Sequence, residues 1–256
     1  ATLCYGSSSA GETIHNTKSP HFNNACQLMT KVAEMLKLQP HEVIERKTKT
    51  RVTICGPIDM EIHMGTDGRF YAVDTARLMP PVSPSSFPRK IKACYLINHF
   101  RPEFLQLLQP SQIPNSDAYS PFCKQGKDIA DSTTQILQDL ILKAAVHLNT
   151  CFTRSLSKEE EVYRNELLEK MHIPTWFHAQ GFNLRYIGLY YSKLHKKELR
   201  LVFLQEMVLR VLKDDLKRKL RAALSSKNQA EVVATELNTI FAGTETSSEC
   251  WKNIKQ

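Results

Sequence analysis

Several side chains able to do acid–base or metal chemistry are concentrated between Gly56 and Arg77. Asp59, Glu61 and His63 alternate there with apolar residues. Because successive side chains of a β-strand point to opposite faces, the three polar groups are expected to share one face. Carboxylates and imidazoles at such spacing are typical of general acid–base groups and of metal ligands.

One interpretation of these residues is a magnesium-dependent phosphotransferase. Protein kinases hold two magnesium-binding groups on the two sides of a hairpin, and Asp59, His63 and Asp74 follow that order loosely. Asp59 would then act as the base, with His63 and Asp74 around magnesium and ATP as the second cofactor. The pattern departs from that of kinases, because Asp74 begins Asp-Thr-Ala rather than Asp-Phe-Gly.

The alternative interpretation is a hairpin with one solvated face, and the sequence favours it. Glu61 and His63 would face water, and Arg69 or Arg77 would pair with Asp74. No catalytic residue, metal or cofactor is expected in that case.

Positive charge is concentrated in one segment, Lys193 to Arg221. The chain has 34 Lys and Arg against 26 Asp and Glu, a formal net charge of +8. This segment alone holds ten basic and four acidic residues, which makes it +6. Lys196, Lys197 and Arg200 lie near the start of this segment.

The basic segment continues as a ridge on a long predicted helix. Arg210, Lys213, Lys217 and Arg221 are spaced three, four and four residues apart, so they share one helix face roughly 16 Å long. The buried face is predicted to be the apolar stripe Leu201, Leu204, Val208, Val211, Leu212, Leu216 and Leu220.

The ridge could contact RNA phosphates, an acidic protein or anionic lipid, or simply be solvated. If it binds RNA, Tyr186, Tyr190 and Tyr191 could add base stacking, although tyrosines at helical spacing are more often core residues.

The elements around these residues predict an α+β fold. Apolar periodicity indicates a helix from Phe22 to Leu38, and strands are predicted at 51–55, 60–64 and 70–74, the last two forming a hairpin around Asp67-Gly68. Helices are predicted from Lys127, from Lys158, and through most of the remaining chain as far as Leu224.

Proline placement predicts the domain organisation. Eight of the twelve prolines lie between Pro80 and Pro121, and none follows Pro174. We expect a small N-terminal sheet-and-helix lobe at 1–80, a Pro-rich bridge at 81–125 and a larger, mostly helical lobe at 126–256, together forming one integrated domain.

Composition excludes several classes of protein. With 42% apolar and 23% charged residues, the chain is neither disordered nor collagen-like, and it has no apolar run long enough to span a membrane. The seven cysteines form no C-x-x-C pair, so reduced thiols and a cytoplasmic setting are expected. Since the chain begins at Ala1 rather than Met, we interpret it as part of a longer protein.

Two composite motifs and several shorter ones run through the chain in a fixed order. The first motif comprises Gly56, Asp59, Glu61, His63, Asp67, Gly68, Arg69, Tyr71, Asp74 and Arg77. The second comprises His178, Gly181, Asn183, Arg185, Tyr186 and Gly188. The shorter ones are Tyr5-Gly6-Ser7 with Gly11, Lys37 to His41, Pro80-Pro81, Arg101 to Phe104, Glu206-Met207 and Trp251-Lys252-Asn253.

With these motifs, the chain resembles the central part of clustered-mitochondria (CLU) family proteins. The resemblance implies a cytoplasmic, non-enzymatic binding module that contributes to mitochondrial distribution. It implies association with messenger RNAs for mitochondrial proteins, or with cytosolic or ribosome-associated proteins. The phosphotransferase with magnesium and ATP is kept as the alternative.

Overall fold

A computed structural model describes residues 2–5, 20–44, 49, 51–57, 59–86, 93–153, 157–223 and 229–241. The predictions that involve Gly6, Ser7, Gly11, Ile58, Leu224 and Trp251 to Asn253 lie outside these residues.

The N-terminal part combines one helix with two antiparallel sheets. A three-stranded sheet has the order β1-β4-β5, and β2 pairs with β3 in a second sheet. The elements are β1 (Thr2–Tyr5), α1 (Phe22–Leu36), β2 (His41–Ile44), β3 (Arg51–Ile54), β4 (Glu61–Met64) and β5 (Phe70–Val73). The predicted helix, the predicted hairpin and the α+β class are confirmed.

The core of this part forms between α1 and the strands. Ala25 and Met29 of α1 are buried together with Ile54, Met60 and Ile62. The helix ends where Lys37 adopts the left-handed conformation with φ of 56°, and Pro40 follows shortly. Burial of α1 against both sheets is therefore what holds the hairpin in place.

The Pro-rich stretch packs onto the N-terminal lobe through backbone hydrogen bonds. The N–H of Gln39 donates to Pro114 O at 2.9 Å, and the N–H of Ser116 donates to Gln39 O at 3.0 Å. The N–H of Ala118 donates to Arg77 O at 2.8 Å. These bonds place residues 114–118 against the segment between α1 and β2 and against Arg77, just after the hairpin.

The remaining described chain is mainly helical. Its helices are α2 (Pro102–Leu105), α3 (Lys124–Thr153), α4 (Lys158–Glu169), α5 (Ile173–Ala179), α6 (Ile187–Tyr191), α7 (Lys197–Ala222) and α8 (Gln229–Phe241). None of the described helices is both long enough and apolar enough to cross a membrane. The start of α4 is fixed by a capping box, in which Ser157 and Glu160 exchange side-chain-to-backbone hydrogen bonds.

The apolar stripe predicted for α7 is wrong in its first half. Leu201, Leu204 and Val211 are 54%, 40% and 46% exposed, whereas Leu199 and Phe203 are fully buried. The reason is that Phe203, near the beginning of α7, packs on Tyr190 of α6, whereas Lys219, near its end, pairs with Glu236 of α8. Two partners on different sides require two different buried faces, and a single helical stripe cannot describe both.

The chain divides into two compact units. The first comprises Ala1–Lys143 and Pro174–Leu184, and it contains both sheets and the Pro-rich stretch. The second comprises Ala144–Ile173 and Arg185–Gln256, and it contains α7 and α8.

Gly181→Ala should destabilise the first unit by about 2 kcal/mol or more. Gly181 has a φ of +77°, and a Cβ atom there would lie 2.6 Å from the backbone N of Phe104. Gly188→Ala is the matched control, since the space around Gly188 is open and helix α6 favours Ala over Gly. Urea denaturation of both variants tests this, and equal stabilities would contradict it.

Candidate functional site

The β4–β5 hairpin places Glu61 and His63 side by side on one strand. Nε2 of His63 lies 2.8 Å from Oε2 of Glu61, and both side chains are about a quarter exposed. Ile62, between them, is buried on the other face at 3% exposure. The alternation predicted for β4 is therefore present, and His63 is engaged by a carboxylate of its own strand.

Arg77 is a buried cation, and its partner is Asp59. Its Nε donates to Oδ1 of Asp59 at 2.8 Å, and its side chain is 8% exposed while that of Asp59 is 49% exposed. The predicted pairing of Arg69 or Arg77 with Asp74 is wrong. Asp74 takes a left-handed conformation, with φ of 56°, immediately before the short helix Thr75–Arg77, and it stays exposed. Arg69 pairs instead with Asp67, at 3.9 Å.

An aromatic ring completes the surroundings of Arg77. Its guanidinium carbon lies 3.8 Å from the centre of the Tyr119 ring, a cation–π contact. Tyr119 contacts Tyr95 in turn, with 4.5 Å between the ring centres. The guanidinium thus has a carboxylate at its edge and a π-face beside it, which compensates for its removal from water.

A second buried polar pair, His41 and Asp117, lies next to this group. Oδ2 of Asp117 is 3.7 Å from Nε2 of His41, beyond hydrogen-bond length, and both ring nitrogens of His41 lack a hydrogen-bond partner within the described chain. Burial lowers the pKa of His41 to about 4. Burial also raises the pKa of Asp117, although the N–H of Tyr119 and the charge of Arg77 oppose that shift.

These contacts bear on the alternative of a magnesium site. Asp59 is held by Arg77 and His63 by Glu61, two separate pairs. Within the residues that the structure describes, no three His, Cys, Asp or Glu side chains are grouped closely enough to hold a metal ion. Asp59, His63 and Asp74 remain a prediction as catalytic residues.

Much of the first motif has a structural explanation in the hairpin turn. Oδ2 of Asp67 accepts a hydrogen bond from the Tyr71 hydroxyl at 2.7 Å, and Oδ1 accepts one from the N–H of Arg69 at 3.1 Å. The bond from Tyr71 is the main reason why the pKa of Asp67 is lowered. Gly68 supplies the positive φ of 77° that the turn requires. Gly56 donates from its N–H to Ser116 Oγ at 2.7 Å.

The second motif also consists of positioning contacts. Nδ2 of Asn183 donates to His99 O at 2.9 Å, and Gly181 makes the close approach to Phe104 described above. The guanidinium of Arg185 lies 5.4 Å from the centre of the Tyr186 ring. His178 lies close enough to Glu103 to help lower the pKa of that carboxyl, although the largest cause is a bond from Arg101.

The predicted ridge on α7 has three exposed cations. Lys213, Lys217 and Arg221 are exposed, and none has an ion-pair partner among the described residues. Arg210 is different, because its Nε lies 2.7 Å from Oε1 of Glu206 and its side chain is 41% exposed. The exposed ridge is therefore Lys213, Lys217 and Arg221, with Arg210 neutralised at one end.

The other predicted cations on α7 are placed differently. Arg200 donates to the Tyr191 hydroxyl at 2.8 Å and to Leu194 O at 2.9 Å, so it is held within the fold. Lys196 and Lys197 lie at the beginning of α7. About 20 Å of helix separates them from Arg210, so they cannot extend the ridge.

The opposite face of α7 is where α8 packs. Nζ of Lys219 lies 2.9 Å from Asp215 and 2.6 Å from Glu236 of α8. Burial alone would lower the pKa of Lys219, but these two carboxylates raise it overall. Asp215 and Glu236 therefore pair with Lys219 on a face of α7 away from the ridge.

Tyr190 is a core residue, as tyrosines at helical spacing usually are. It is fully buried, its ring stacks on Phe203 with 5.1 Å between the centres, and its hydroxyl donates to Ala144 O at 3.1 Å. The prediction that Tyr190 stacks on a base is therefore wrong. The ring of Tyr191 is covered by the guanidinium of Arg200, which lies 4.1 Å from the ring centre.

Comparison with known proteins finds two family matches. Residues 1–83 match the family described as Clustered mitochondria (CLU), and residues 167–255 match Translation initiation factor eIF3 subunit 135. The chain is also similar to a clustered mitochondria protein homolog from Brugia malayi, 32% identical over 81 residues. That alignment covers 31% of this chain and 5% of the relative, so the chain spans a small part of the relative's length. No solved structure is significantly similar to the chain.

Arg77→Met should lower the free energy of unfolding by about 2 kcal/mol, because it removes the buried ion pair and the contact with Tyr119. The half-exposed Asp59 can be rehydrated, which keeps the loss below that of a fully buried pair. Arg69→Met is the matched control, since Arg69 is 81% exposed and its pairing is weak. Chemical denaturation measures both variants, and similar losses would contradict the prediction.

Stability should fall as the pH drops from about 6.5 to 4. The pKa of His41 is about 4 in the folded chain, against 6.5 for an ordinary histidine, so the unfolded chain binds the extra proton first. The loss is roughly 3 kcal/mol over that window. The raised pKa of Asp117 offsets part of it, because folded Asp117 takes up its proton at a higher pH.

His41→Leu should flatten this pH dependence, while His147→Leu, at an exposed histidine, should leave it unchanged. Urea denaturation at several pH values measures the slope. Equal slopes in the parent chain and His41→Leu would refute the assignment.

Proposed function

Because the chain carries a CLU family segment in residues 1–83, we propose that it is a non-enzymatic binding module of a protein with a role in mitochondrial distribution. In this proposal it acts in the cytoplasm and binds RNA through α7. Messenger RNAs for mitochondrial proteins are the RNA class that the family resemblance suggests.

The observation that carries the RNA part is the exposed ridge of Lys213, Lys217 and Arg221. Three cations on one helix face, without carboxylate partners in the described chain, are matched by the regular negative charge of a phosphate backbone. Their spacing repeats every turn of the helix, so a strand lying along α7 would meet one cation about every 6 Å.

Two further observations support this proposal. The segment around the ridge holds +6 of the formal net charge of +8, so the positive charge is local rather than spread over the surface. The ridge also lies within residues 167–255, the segment similar to a subunit of a translation initiation factor. A protein that acts near messenger RNA is consistent with both.

The ridge suits backbone contacts better than base recognition. Tyr190 is buried and Tyr191 holds Arg200, so neither offers an open ring face for a base. Phosphate contacts position a nucleic acid without specifying its sequence. We therefore expect binding that depends strongly on salt and weakly on sequence.

Reversing the ridge charges should weaken RNA binding at least tenfold at moderate salt. The variant Lys213→Glu, Lys217→Glu, Arg221→Glu removes three phosphate contacts, so the slope of log affinity against log salt should fall by about 2 for single-stranded RNA. Fluorescence anisotropy of labelled RNA over a salt series measures both quantities.

The matched control reverses three exposed lysines of other helices, Lys31→Glu, Lys127→Glu and Lys143→Glu. It changes the net charge by the same amount and should leave most of the affinity intact. If both triple variants lose affinity equally, the ridge is not the contact surface. If the parent chain binds no RNA at low salt, the RNA part of the proposal fails.

A parallel measurement of melting temperature distinguishes the binding module from the phosphotransferase alternative. A rise in melting temperature with magnesium-ATP, abolished by Asp74→Ala, would favour the phosphotransferase over the binding module. Mitochondrial distribution in cells expressing the ridge variant within the full-length protein tests whether the ridge serves the proposed role.

A further inference from the structure

Two cysteines that are far apart in sequence meet on one side of the N-terminal lobe. Cys26 lies in the second turn of α1, and Cys55 directly follows β3. Both are half-buried and pack against the core formed by Ala25, Met29 and the strands. Neither belongs to the polar group around Arg77 or to the ridge on α7.

Thr30 connects the two cysteines geometrically. It lies one helical turn after Cys26, and its hydroxyl donates to Cys26 O at 3.0 Å. The same hydroxyl lies 3.8 Å from Sγ of Cys55. Since residues four apart on a helix are neighbours on one face, Cys26 and Thr30 present adjacent side chains to Cys55.

A cavity opens at this position and gives access to both thiols. Its volume is about 270 Å³, and it is lined by Cys26, Thr30, Pro40, Thr53, Ile54 and Cys55. The cavity is partly open to solvent, so the sulfur-bearing part of a small-molecule disulfide can reach the thiols while the rest of the molecule stays outside. The cavity thus places two reducing groups around one small opening.

We propose that Cys26 and Cys55 form a paired-thiol site that reacts with small-molecule disulfides and closes to an intramolecular disulfide. The site would join α1 to the end of β3. It is a modification site within residues 1–83, the segment that matches the CLU family.

The reaction is two successive thiol–disulfide exchanges. One cysteine thiolate attacks a sulfur of the small disulfide, the S–S bond breaks, and one small thiol leaves with a proton. The second cysteine thiolate then attacks the protein sulfur of the mixed disulfide and releases the second small thiol. The protein loses two protons and two electrons, and the small disulfide gains them.

The environment of the thiols sets the conditions for this reaction. Burial raises the pKa of Cys26, and the neighbouring Cys55 raises it further. Because the thiolate is the nucleophile, the reaction should accelerate as the pH rises above neutral. Elsewhere in the described chain, Cys94 is buried and Cys123 and Cys151 are exposed, so they serve as internal references.

The experiment treats the reduced full chain with glutathione disulfide at pH 8, alkylates the remaining thiols and maps the products by mass spectrometry. The expected product is a Cys26–Cys55 cross-link that dithiothreitol removes. The cross-link closes a loop of roughly 30 residues, so the melting temperature should rise by about 5 °C.

Three variants make the test decisive. Cys26→Ser and Cys55→Ser should each lose the cross-link and the rise in melting temperature, leaving a mixed disulfide on the remaining cysteine. Cys123→Ser should retain both. The proposal would be overturned if Cys26 and Cys55 were still fully alkylated after prolonged oxidation. It would also be overturned if each carried its own glutathione adduct and no cross-link formed.

Discussion

The burial of one guanidinium is the constraint around which the N-terminal unit is arranged. The side chain of Arg77 is 8% exposed, and a cation so far removed from water needs other groups to replace its lost hydration. Asp59 provides the charge and Tyr119 the π-face, while the backbone of Arg77 accepts the bond from Ala118. Those three partners come from the approach to the hairpin and from the Pro-rich stretch. Arg77 therefore links Asp59 to the segment around Tyr119, 60 residues later in the chain.

Burial of Arg77 also accounts for the unusual polar surroundings of its neighbours. Asp117, two residues before Tyr119, is buried together with His41 and responds to the charges of both Arg77 and Asp59. His41 stays neutral because its ring nitrogens lack hydrogen-bond partners in the described chain and burial disfavours the cation. Arg77, Asp117 and His41 are thus buried polar neighbours, and the half-exposed Asp59 pairs with Arg77 at their edge. Structural ion-pair groups shift pKa values as active sites do, so these shifts alone do not indicate catalysis.

The features that could be predicted from the sequence are those set by the spacing of apolar residues and by local turn chemistry. The β4–β5 hairpin follows from alternation and from Asp67-Gly68, both local signals, and α1 follows from its apolar stripe before Pro40. The partner of Arg77 could not be predicted, because nothing in the spacing distinguishes Asp59 from Asp74; the left-handed turn at Asp74 decides it. His41 and Asp117 are distant in sequence, and so are Cys26 and Cys55. Neither pairing could be predicted from a single sequence, because only the fold brings these residues together.

The change of buried face along α7 explains how its ridge can carry charged side chains. Leu199 and Phe203 are buried, and residues 210, 213, 217 and 221 continue the same helix face at three- and four-residue steps. If the core extended that far, this face would be apolar. Instead its side chains are charged from the Glu206–Arg210 pair onward, while α8 covers a different face through Lys219 and Glu236. The helix thus extends beyond the packing of its first half and keeps a cationic face in solvent. Like charges repel at this spacing and destabilise an isolated helix slightly, so a polyanion that neutralises them would stabilise the same stretch of α7.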